Sequence, residues 1–501
     1  MTRSAAIRER LKHPVVDVDG HITEFLPLTL EFMRNIGGAK LVERYLARFP
    51  TGLGPFDGDP KRAGAAGDWH ALSQSQRRER RVTRPGFWGL PTDPLDRATV
   101  TLPDLFRKRI DDFGIDFAIT YPTAGFNFTT IADEDIRRVA CRAVNTMNAE
   151  LFRPHADRMT PAAVIPMFNP AEALEELEYA VQTLNMKVAM LGTCIRRPIA
   201  EVTRVAPEVA AYATWIDVIA HDSEFDYDPV WQKCVDLRVA VTAHSSGVGF
   251  GTRTSTQNFV YNHVGHFAAA GEAFCKALVL GGVVQRFPSL PFAFLEGGVG
   301  WACSLYNDLI EHWKTRNVSS MRKHLDPDKL EASKLAPLFD RYGGTHFKGR
   351  LTNVEDTSAT TLNWPVPVNE NSSDLDDWTA LEINEPHVFA KIFTRFFFGC
   401  EPGDRMVAAA FLSKLNHFDA RLQAMFSSDI GHFDIADITS TLAEAYELVD
   451  DGLVSEDDFR DFTFTNAVRL HSSLNPDFFS GTAVETAARD AMLHGAGARG
   501  R

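Results

Sequence analysis

The amino-acid sequence predicts a (β/α)8 barrel of the TIM type that carries two long, mainly helical or irregular insertions. Short apolar or β-branched runs alternate with helical stretches along the chain, which is typical of a parallel α/β architecture. Eight such runs occur, and candidate ligand or acid/base side chains follow four of them, as expected where parallel barrel strands open onto an active face. An open, doubly wound sheet is the alternative that the same alternation allows.

The predicted elements follow one another in a regular order. The strands are Val15–Asp19, Phe117–Tyr121, Ala162–Pro166, Lys187–Leu191, Ala240–His244, Phe292–Glu296, Arg395–Cys400 and Met425–Asp429. Amphipathic periodicity between them predicts helices over Asp133–Phe152, Pro170–Leu184, Pro229–Leu237 and Phe267–Arg286. Because barrels with insertions reach this length as one catalytic unit, we expect a single barrel domain over residues 1–480.

Two connections are too long for a simple strand–helix unit. The first insertion, about 25–108, follows the first strand, and the second, about 313–390, follows the sixth. Both leave the barrel at its active face, where long loops usually cover or shape a site. We therefore expect a partial lid or contacts between subunits. Residues 481–501 are predicted to be a loose C-terminal tail.

Composition and charge exclude several classes of protein. With 45% hydrophobic and 24% charged residues, the chain can bury a large core and is not disordered. A net charge of −14, with acidic residues spread along the chain, disfavours nucleic-acid binding. The six cysteines lie far apart, and the polar N-terminus and the lack of any run of about 18 apolar residues argue against export or membrane association. We expect a cytoplasmic protein.

The first predicted strand ends in a cluster of polar residues. Its alternating side chains can project Asp17, Asp19 and His21 to one side, and Gly20 allows close approach of the backbone. Oxygen and nitrogen donors on one rigid strand end suit a divalent cation. The alternative is a turn whose aspartates only satisfy local hydrogen bonds.

Three later strands also end in residues that can carry chemistry. His244 follows an apolar strand and precedes a Ser/Gly loop, Glu296 ends an otherwise apolar strand, and Asp429 ends the last strand. A buried acid is costly unless it is paired, ligating or solvated, so each residue is a candidate ligand or acid/base group. A histidine satisfied by backbone groups and a structural ion pair are the alternatives for His244 and Glu296.

These residues resemble the amidohydrolase superfamily, in the branch that includes aminocarboxymuconate-semialdehyde decarboxylase and related metal-dependent hydrolases. The resemblance covers roughly 14–24, 110–300 and 395–470, and it includes the segments 109–116 (RIDDFGID) and 281–288 (GGVVQRFP). It implies one divalent metal ion, with zinc as the first choice and manganese or iron as alternatives. The ligands that it implies are Asp19, His21, His244 and Asp429.

Hydrolysis is the first functional hypothesis. Family decarboxylases commonly have a histidine where this chain has Glu296, and a carboxylate there can act as a base toward metal-activated water. Asp429, helped by Glu296, would take the proton and return it to the leaving group of a small aromatic or carboxylated substrate. The alternative is a metal-dependent, non-oxidative decarboxylase of an aromatic or muconate-like acid, in which Asp429 protonates the carbon. A third hypothesis is a binding scaffold without catalysis.

Secondary candidates complete the predicted site. His266 and His432 are candidates for orienting the substrate, and Trp88 and Trp301 for contacting an aromatic ring, although each residue could serve packing alone. The partners are then a small-molecule substrate and, because the loops are long, a second copy of the chain in a dimer. No nucleic acid and no membrane are expected as partners.

Overall fold

Ten strands are present in the computed structural model, which describes residues 1–49, 69, 72–86, 89–324, 331–349 and 376–497. The strands are β1 (Val16–Ile22), β2 (Phe117–Pro122), β3 (Met159–Ile165), β4 (Val188–Leu191), β5 (Ile195–Pro198), β6 (Thr214–Asp217), β7 (Val241–Ala243), β8 (Phe292–Phe294), β9 (Phe396–Cys400) and β10 (Gln423–Phe426). Eight of them form one sheet in the order β1-β2-β3-β4-β7-β8-β9-β10, with every pair of neighbours parallel. The other two, β5 and β6, pair as a separate antiparallel hairpin.

Backbone hydrogen bonds bring the two ends of this sheet together. The amide of Asp429 donates to the carbonyl of Asp19 over 3.0 Å, and the amide of His21 donates to the carbonyl of Ile430 over 2.8 Å. These bonds join β1 to the segment that follows β10, so the sheet is a nearly closed barrel. The predicted (β/α)8 fold is confirmed, and the open sheet is excluded.

Helices connect the strands and cover the barrel. The helices that lie wholly within residues 1–306 and 390–501 are Arg3–Arg10, Leu26–Gly37, Ala39–Arg48, Gln74–Arg80, Pro94–Thr101, Pro103–Arg109, Thr123–Phe128, Glu134–Phe152, Pro170–Glu178, Ala200–Val205, Asp228–Asp236, Phe259–His263, His266–Leu280, Val283–Arg286, Val407–Phe411, Thr441–Asp450, Glu456–Arg460, Asn466–Ser472 and Glu485–Gly497. All four helices predicted from periodicity are present, and one of them is divided into His266–Leu280 and Val283–Arg286. Gly282, with φ +71°, begins the second part.

The helix Glu134–Phe152 illustrates how the sequence specifies these elements. The side chain of Asp133 accepts a hydrogen bond from the amide of Ile136 over 3.1 Å and so caps the helix at its N-terminus. Ile136, Ala140 and Val144 recur at helical spacing, and all three are buried in the main hydrophobic core. Capping and a single apolar face thus set both the start of the helix and its orientation on the barrel.

The aromatic strands β8 and β9 separate two packing layers. Ala293 belongs to the main core, whereas the ring of Phe292 packs against Trp231 and Phe274 of the surrounding helices. Successive strand residues point to opposite faces, so one strand supplies both the barrel interior and the contact with the helices. This double burial explains why the strands are apolar throughout rather than alternating.

The chain divides into two compact units. The first comprises Met1–Tyr306 and Ala390–Arg501 and contains the barrel, and the second is Asn307–Phe389. Helices Val318–His324, Ala332–Tyr342 and Gly344–Phe347 lie in the second unit, while Gly300–Arg316 and Val388–Phe393 cross the boundaries. The second unit occupies nearly the same residues as the second predicted insertion.

The C-terminal segment differs from its prediction. Residues 481–501 were expected to be a loose tail, but Glu485–Gly497 is a helix, and Val484 and Ala488 are buried in the main core. The burial of small apolar residues on one face holds this helix against the barrel, which the glycine-rich end of the sequence obscured.

A buried histidine on the helix Asn466–Ser472 makes the stability of the fold sensitive to acid. The ring of His471 stacks on Phe478 with centroids 4.2 Å apart, and burial lowers its pKa to about 3. In the unfolded chain this histidine has its ordinary pKa of 6.5 and binds a proton below that pH, whereas in the folded protein it stays neutral down to about pH 3. The stability of the folded state therefore falls as the pH drops from 6.5 towards 3. By about pH 5 this residue should cost about 2 kcal/mol of folding free energy.

The variant His471→Phe tests this expectation, because it keeps a ring on Phe478 and removes the titrating nitrogen atoms. We expect its free energy of unfolding in urea to decline less than that of the wild type between about pH 7 and about pH 5. Equal declines in the two proteins would show that His471 does not control the acid sensitivity.

Cysteines and helix hydropathy complete the description. All six cysteines are free thiols, and five of them are buried. Among the described residues, no helix combines the length and the apolar character needed to cross a lipid bilayer.

Candidate metal centre and active site

The polar residues predicted from strand ends meet at one end of the barrel. Asp19 and His21 lie on β1, His244 follows β7, Glu296 follows β8 and Asp429 follows β10. Each of the five side chains is at least nine-tenths buried. Because the carboxyl ends of parallel strands meet at the same face of a barrel, residues about four hundred positions apart become neighbours.

Interatomic distances define a compact centre. The Nε2 atom of His21 lies 3.6 Å from Oδ1 of Asp19, 3.8 Å from Oε2 of Glu296 and 3.4 Å from Oδ1 of Asp429. The Nε2 atom of His244 lies 2.9 Å from Oε2 of Glu296 and 4.0 Å from Oδ1 of Asp19. The rings of His21 and His244 are 5.5 Å apart between centroids, close enough to share one cation.

Two overlapping groups of these residues could hold a metal ion. In the first, one ligand atom from each of Asp19, His21, His244 and Glu296 lies within 4.8 Å of all the others. The second group contains His21, Glu296, Asp429 and His432 under the same limit. Three of the four predicted ligands therefore share the first group, whereas Asp429 lies beside it and Glu296 completes it.

Several polar atoms of these residues are buried and lack a hydrogen-bond partner, which bears on whether the residues suit a cation. Both carboxylate oxygens of Asp19, both ring nitrogens of His21 and Nδ1 of His244 are buried without a hydrogen-bond partner among the described residues. Buried polar atoms normally have partners, because leaving them unpaired costs free energy. A divalent ion would satisfy several of these atoms at once, and oxygen and imidazole donors are ligands that such ions accept.

Backbone conformation aims two of the acids into the centre. Glu296 has φ +58° and Asp429 has φ +49°, in the left-handed region that residues other than glycine seldom adopt. Glu296 lies just after β8 and Asp429 just after β10, so the left-handed backbone turns each side chain away from the direction of its strand. β8 ends at Phe294, before the predicted end at Glu296. Strain of this kind is concentrated at functional sites.

Asp17 belongs to neither ligand group, but it holds the segments that carry the ligands through hydrogen bonds. Its Oδ1 accepts hydrogen bonds from the amides of Ser428 (2.9 Å) and Asp19 (3.2 Å), and its Oδ2 accepts one from the hydroxyl of Ser428 (2.6 Å). A Cβ atom on Gly20 would lie only 2.6 Å from Oδ2 of Asp17, so glycine is required for this approach. Asp17 thus ties the ligand-bearing end of β1 to the segment after β10.

We expect the variant Asp17→Ala to bind manganese(II) about 10–100 times more weakly than the wild type, because groups behind metal ligands orient them. Titration calorimetry measures the affinity. The matched control Ser428→Ala removes one hydroxyl bond and leaves the two amide bonds to Asp17, so it should lose much less affinity. Equal metal binding by Asp17→Ala and the wild type would contradict this positioning role.

Burial and charge shift the pKa values of the centre in opposite directions. Burial raises the pKa of Asp19 to about 7, although the charge of His244 opposes the shift. Burial lowers the pKa of His21 well below its ordinary value, so its ring is neutral and can ligate. Burial alone would raise the pKa of Glu296, but hydrogen bonds from His244 and His432 hold it well below the ordinary value. Ionised carboxylates and a neutral imidazole are the states that bind a cation.

His432 forms a close pair with Asp429. Its Nδ1 lies 2.7 Å from Oδ1 of Asp429 and 3.7 Å from Oε1 of Glu296, and its ring stacks on His21 with centroids 3.7 Å apart. Burial opposes its protonation, but these two carboxylates raise its pKa well above the ordinary value. A protonated imidazole oriented by a carboxylate is a competent proton donor.

The centre opens onto a small cavity of about 120 Å³. His21, His244, Glu296 and His432 contribute to its lining. Apolar groups supply much of the rest, including Phe126, Val248, Phe267 and Phe433. Apolar walls around convergent polar groups are typical of small-molecule sites.

The secondary candidates have different positions. His266 lines this cavity, and its Nδ1 lies 3.2 Å from the hydroxyl of Ser246. Trp301 instead packs against Phe294 and Phe398, in the layer between strands and helices, and it does not line this cavity. Its predicted contact with a substrate ring therefore has no support from its packing. Trp88 lies outside the described residues.

Two further acids lie beside the centre and were not singled out from the sequence. Glu401 follows β9 and Asp434 follows the segment after β10, and ligand atoms of both lie within 4.8 Å of one on Asp429. Burial raises the pKa of Glu401 to about 8. The rule that led to Glu296, an acid just after an apolar strand, would also have found Glu401. No local pattern marks His263, which also lines the small cavity.

Comparison with protein-family models identifies one family. The model described as amidohydrolase matches residues 68–343, more than half of the chain. His244 and Glu296 lie inside the matched range, whereas Asp19, His21 and Asp429 lie outside it. The geometry described above brings both sets of residues into one centre.

Solved structures extend the comparison. An amidohydrolase from Mycobacterium avium subsp. paratuberculosis has a TM-score of 0.51 and 16% identity, covering 92% of this chain and 99% of that one. A 2,6-dihydroxybenzoate decarboxylase from Rhizobium has a TM-score of 0.47 and 14% identity, covering 92% and 99%. A dihydroxybenzoic acid decarboxylase from Polaromonas, with bound manganese and 2-nitroresorcinol, has a TM-score of 0.45 and 14% identity, covering 92% and 97%. At 16% identity the likeness to the Mycobacterium structure concerns the fold alone.

Proposed function

Because this chain belongs to the amidohydrolase family, we propose that it is a metal-dependent carboxy-lyase that removes carbon dioxide from an aromatic or muconate-like acid. The observation that carries the proposal is the position of His432, a proton donor paired with Asp429 at the edge of a small, largely apolar cavity beside the ligand group. Decarboxylation needs such a donor, because the carbon that loses its carboxyl group must gain a proton.

The ligand group has a defined part in this reaction. Asp19, His21, His244 and Glu296 would hold the divalent ion, with Asp429 adjacent. When bound, the ion supplies a positive charge that fixes the substrate carboxylate and a neighbouring oxygen and stabilises negative charge developing beside them. The buried position of these residues strengthens that stabilisation, because charges interact more strongly away from water.

His432 would perform the proton transfer. Its Nδ1 faces Asp429, so Nε2 is the nitrogen that exchanges a proton with a ligand in the cavity. As the carbon–carboxyl bond breaks, its electron pair stays on the substrate carbon and takes the proton from Nε2, and carbon dioxide leaves. Solvent then restores the proton. Asp429 keeps the ring oriented and stabilises its charged form.

The cavity favours this chemistry by its composition. Phe126, Phe267 and Phe433 surround the space next to the histidines, which suits a flat, apolar substrate body. This lining also suits the release of carbon dioxide, which is apolar.

Hydrolysis, the first hypothesis from the sequence, is the second candidate. It is favoured by the acid at the end of β8, where Glu296 was expected to serve as a base. However, Glu296 lies inside the ligand group, 2.9 Å from His244, and its low pKa makes it a weak base. Zinc, manganese and iron all suit this donor set, and we propose manganese first because two carboxylates contribute. Dimer formation and a cytoplasmic location stay predictions.

The test is a screen of hydroxybenzoic and muconate-type acids, with the corresponding esters and amides, against protein loaded with manganese(II) or zinc(II). We expect carbon dioxide release that chelator abolishes and added metal restores. In deuterated water the product should carry deuterium at the position that lost the carboxyl group. Turnover of esters or amides without carbon dioxide release would favour hydrolysis instead.

A further inference from the structure

His266 lies at the edge of the small cavity, in close contact with the loop that follows β7. It is the first residue of the helix His266–Leu280, which begins directly after Gly265 with φ +70°. A Cβ atom on Gly247 would lie 2.3 Å from the backbone carbonyl oxygen of His266, so glycine is required for the loop to approach the helix this closely. The approach brings Ser246, the residue before Gly247, next to the imidazole ring.

The hydrogen bonds of Ser246 determine which nitrogen atom of His266 carries the proton. The amide of Val248 donates to Oγ of Ser246 over 3.2 Å, and the same Oγ lies 3.2 Å from Nδ1 of His266. Because an amide N–H can only donate, Nδ1 is the one acceptor that the described residues offer to the hydroxyl hydrogen of Ser246. The hydroxyl therefore donates to Nδ1, and the neutral ring carries its own proton on Nε2.

The protonated Nε2 atom of His266 is a donor without a partner in the described part of the chain. Only 5% of the residue is exposed, and no described residue accepts a hydrogen bond from Nε2. Burial lowers the pKa of the ring to about 3, so the ring is neutral at about pH 7 and donates without carrying a charge. A donor that is largely buried is satisfied by a ligand that brings an oxygen acceptor into the cavity.

Phe267 places this donor near the metal centre. Its ring packs against His266 with centroids 3.9 Å apart and against His244, a member of the first ligand group, with centroids 4.9 Å apart. All three side chains line the small cavity, and His266 belongs to neither ligand group. An aromatic acid whose carboxylate lies at the metal centre can therefore pack along Phe267 and present a second substituent to Nε2 of His266.

From this arrangement we infer that His266 is a specificity-determining residue, whose Nε2–H group selects an acid that carries a second oxygen substituent besides the reacting carboxylate. The inference deepens the proposed function and rests on it for the reacting end of the substrate alone. A neutral donor favours an oxygen acceptor, such as a carbonyl group, over an apolar group of the same shape, because the apolar group would leave the donor unpaired.

Matched probes test this donor without requiring turnover. Formylbenzoate and vinylbenzoate, each in its meta and para forms, differ within a pair only in whether the substituent ends in an oxygen atom or a methylene group. Calorimetric titration into manganese-loaded protein measures their affinities. We expect the wild type to bind the formyl probe about five times more tightly than the vinyl probe in at least one pair, as a neutral hydrogen bond implies. Equal affinities within both pairs would overturn the inference.

Variants of His266 locate the effect. His266→Phe keeps a ring beside Phe267 and removes the donor, so we expect it to bind the vinyl probe as tightly as the wild type and to lose the preference for the formyl probe. His266→Gln has a side-chain amide that can donate and should keep part of the preference. A preference of wild-type size in His266→Phe would contradict the role of His266.

Two neighbouring serines provide a test of the tautomer. Ser246→Ala leaves Nδ1 of His266 without its donor, so the proton can move to Nδ1, and we expect the preference to decrease. The matched control Ser245→Ala should keep the full preference, because the hydroxyl of Ser245 pairs with Thr193. Equal preferences in the two variants would contradict the role of Ser246. If no acid released carbon dioxide, the proposed function would fail while the preference could still be measured.

Discussion

The variant His244→Ala is expected to lose high-affinity metal binding and, with it, catalysis. His244 supplies one of the four ligand atoms that lie within 4.8 Å of one another, and its neighbour Glu296 would be left with one fewer imidazole partner. We expect metal affinity to fall more than about a hundredfold, beyond the range for groups that only orient ligands. Elemental analysis of purified protein and calorimetric titration of manganese(II) provide the measurements.

A thermal-shift experiment adds a readout that does not require a known substrate. A metal ion that binds only the folded state raises the melting temperature, and the increase grows with metal concentration. We expect this increase for the wild type and for the control His266→Ala, which alters a histidine of the same cavity outside the ligand groups. A metal-dependent increase of normal size in His244→Ala would remove His244 from the ligand set.

The variant His432→Gln is expected to keep the metal and lose turnover. His432 lies in the cavity and is held by Asp429 at 2.7 Å, so its removal takes away the proposed proton donor. Loss of a positioned acid or base typically slows a reaction by about 10²–10⁴-fold. We expect kcat to fall within that range, with KM and metal content close to those of the wild type.

The second ligand group makes this prediction falsifiable. His432 also lies within 4.8 Å of ligand atoms on His21, Glu296 and Asp429, an arrangement that could itself hold an ion. Metal analysis of His432→Gln therefore separates the two roles. Retained metal with slow turnover supports a proton donor, whereas loss of metal together with activity would make His432 a ligand. Wild-type turnover would contradict both.

Parts of the site could be predicted because local sequence carries them. Asp19, His21, His244, Glu296 and Asp429 were all identifiable as acids or histidines at or just past the end of an apolar run. Their common location then follows from a general property of parallel barrels, whose strand ends meet at one face. Patterns in short segments of the sequence thus predicted both the residue types at the metal centre and the fold that brings them together.

Other parts depended on contacts that no local pattern records. The hairpin formed by Ile195–Pro198 and Thr214–Asp217 was not predicted, because each strand has only four residues and the second shows no alternation of buried and exposed residues. The C-terminal helix was missed because its stabilisation comes from docking on the core. Trp301 looked suitable for a substrate contact, but its orientation is set by Phe294 and Phe398.

By itself, the sequence determined the barrel, the order of its strands and the acids and histidines available at their ends, since periodicity and strand-end chemistry are properties of short segments. Only the tertiary structure decided that Glu296 joins the first ligand group while Asp429 pairs with His432. The physical reason is that distances between residues far apart in the chain depend on how the barrel closes and on the left-handed backbone at Glu296 and Asp429, which local composition does not encode.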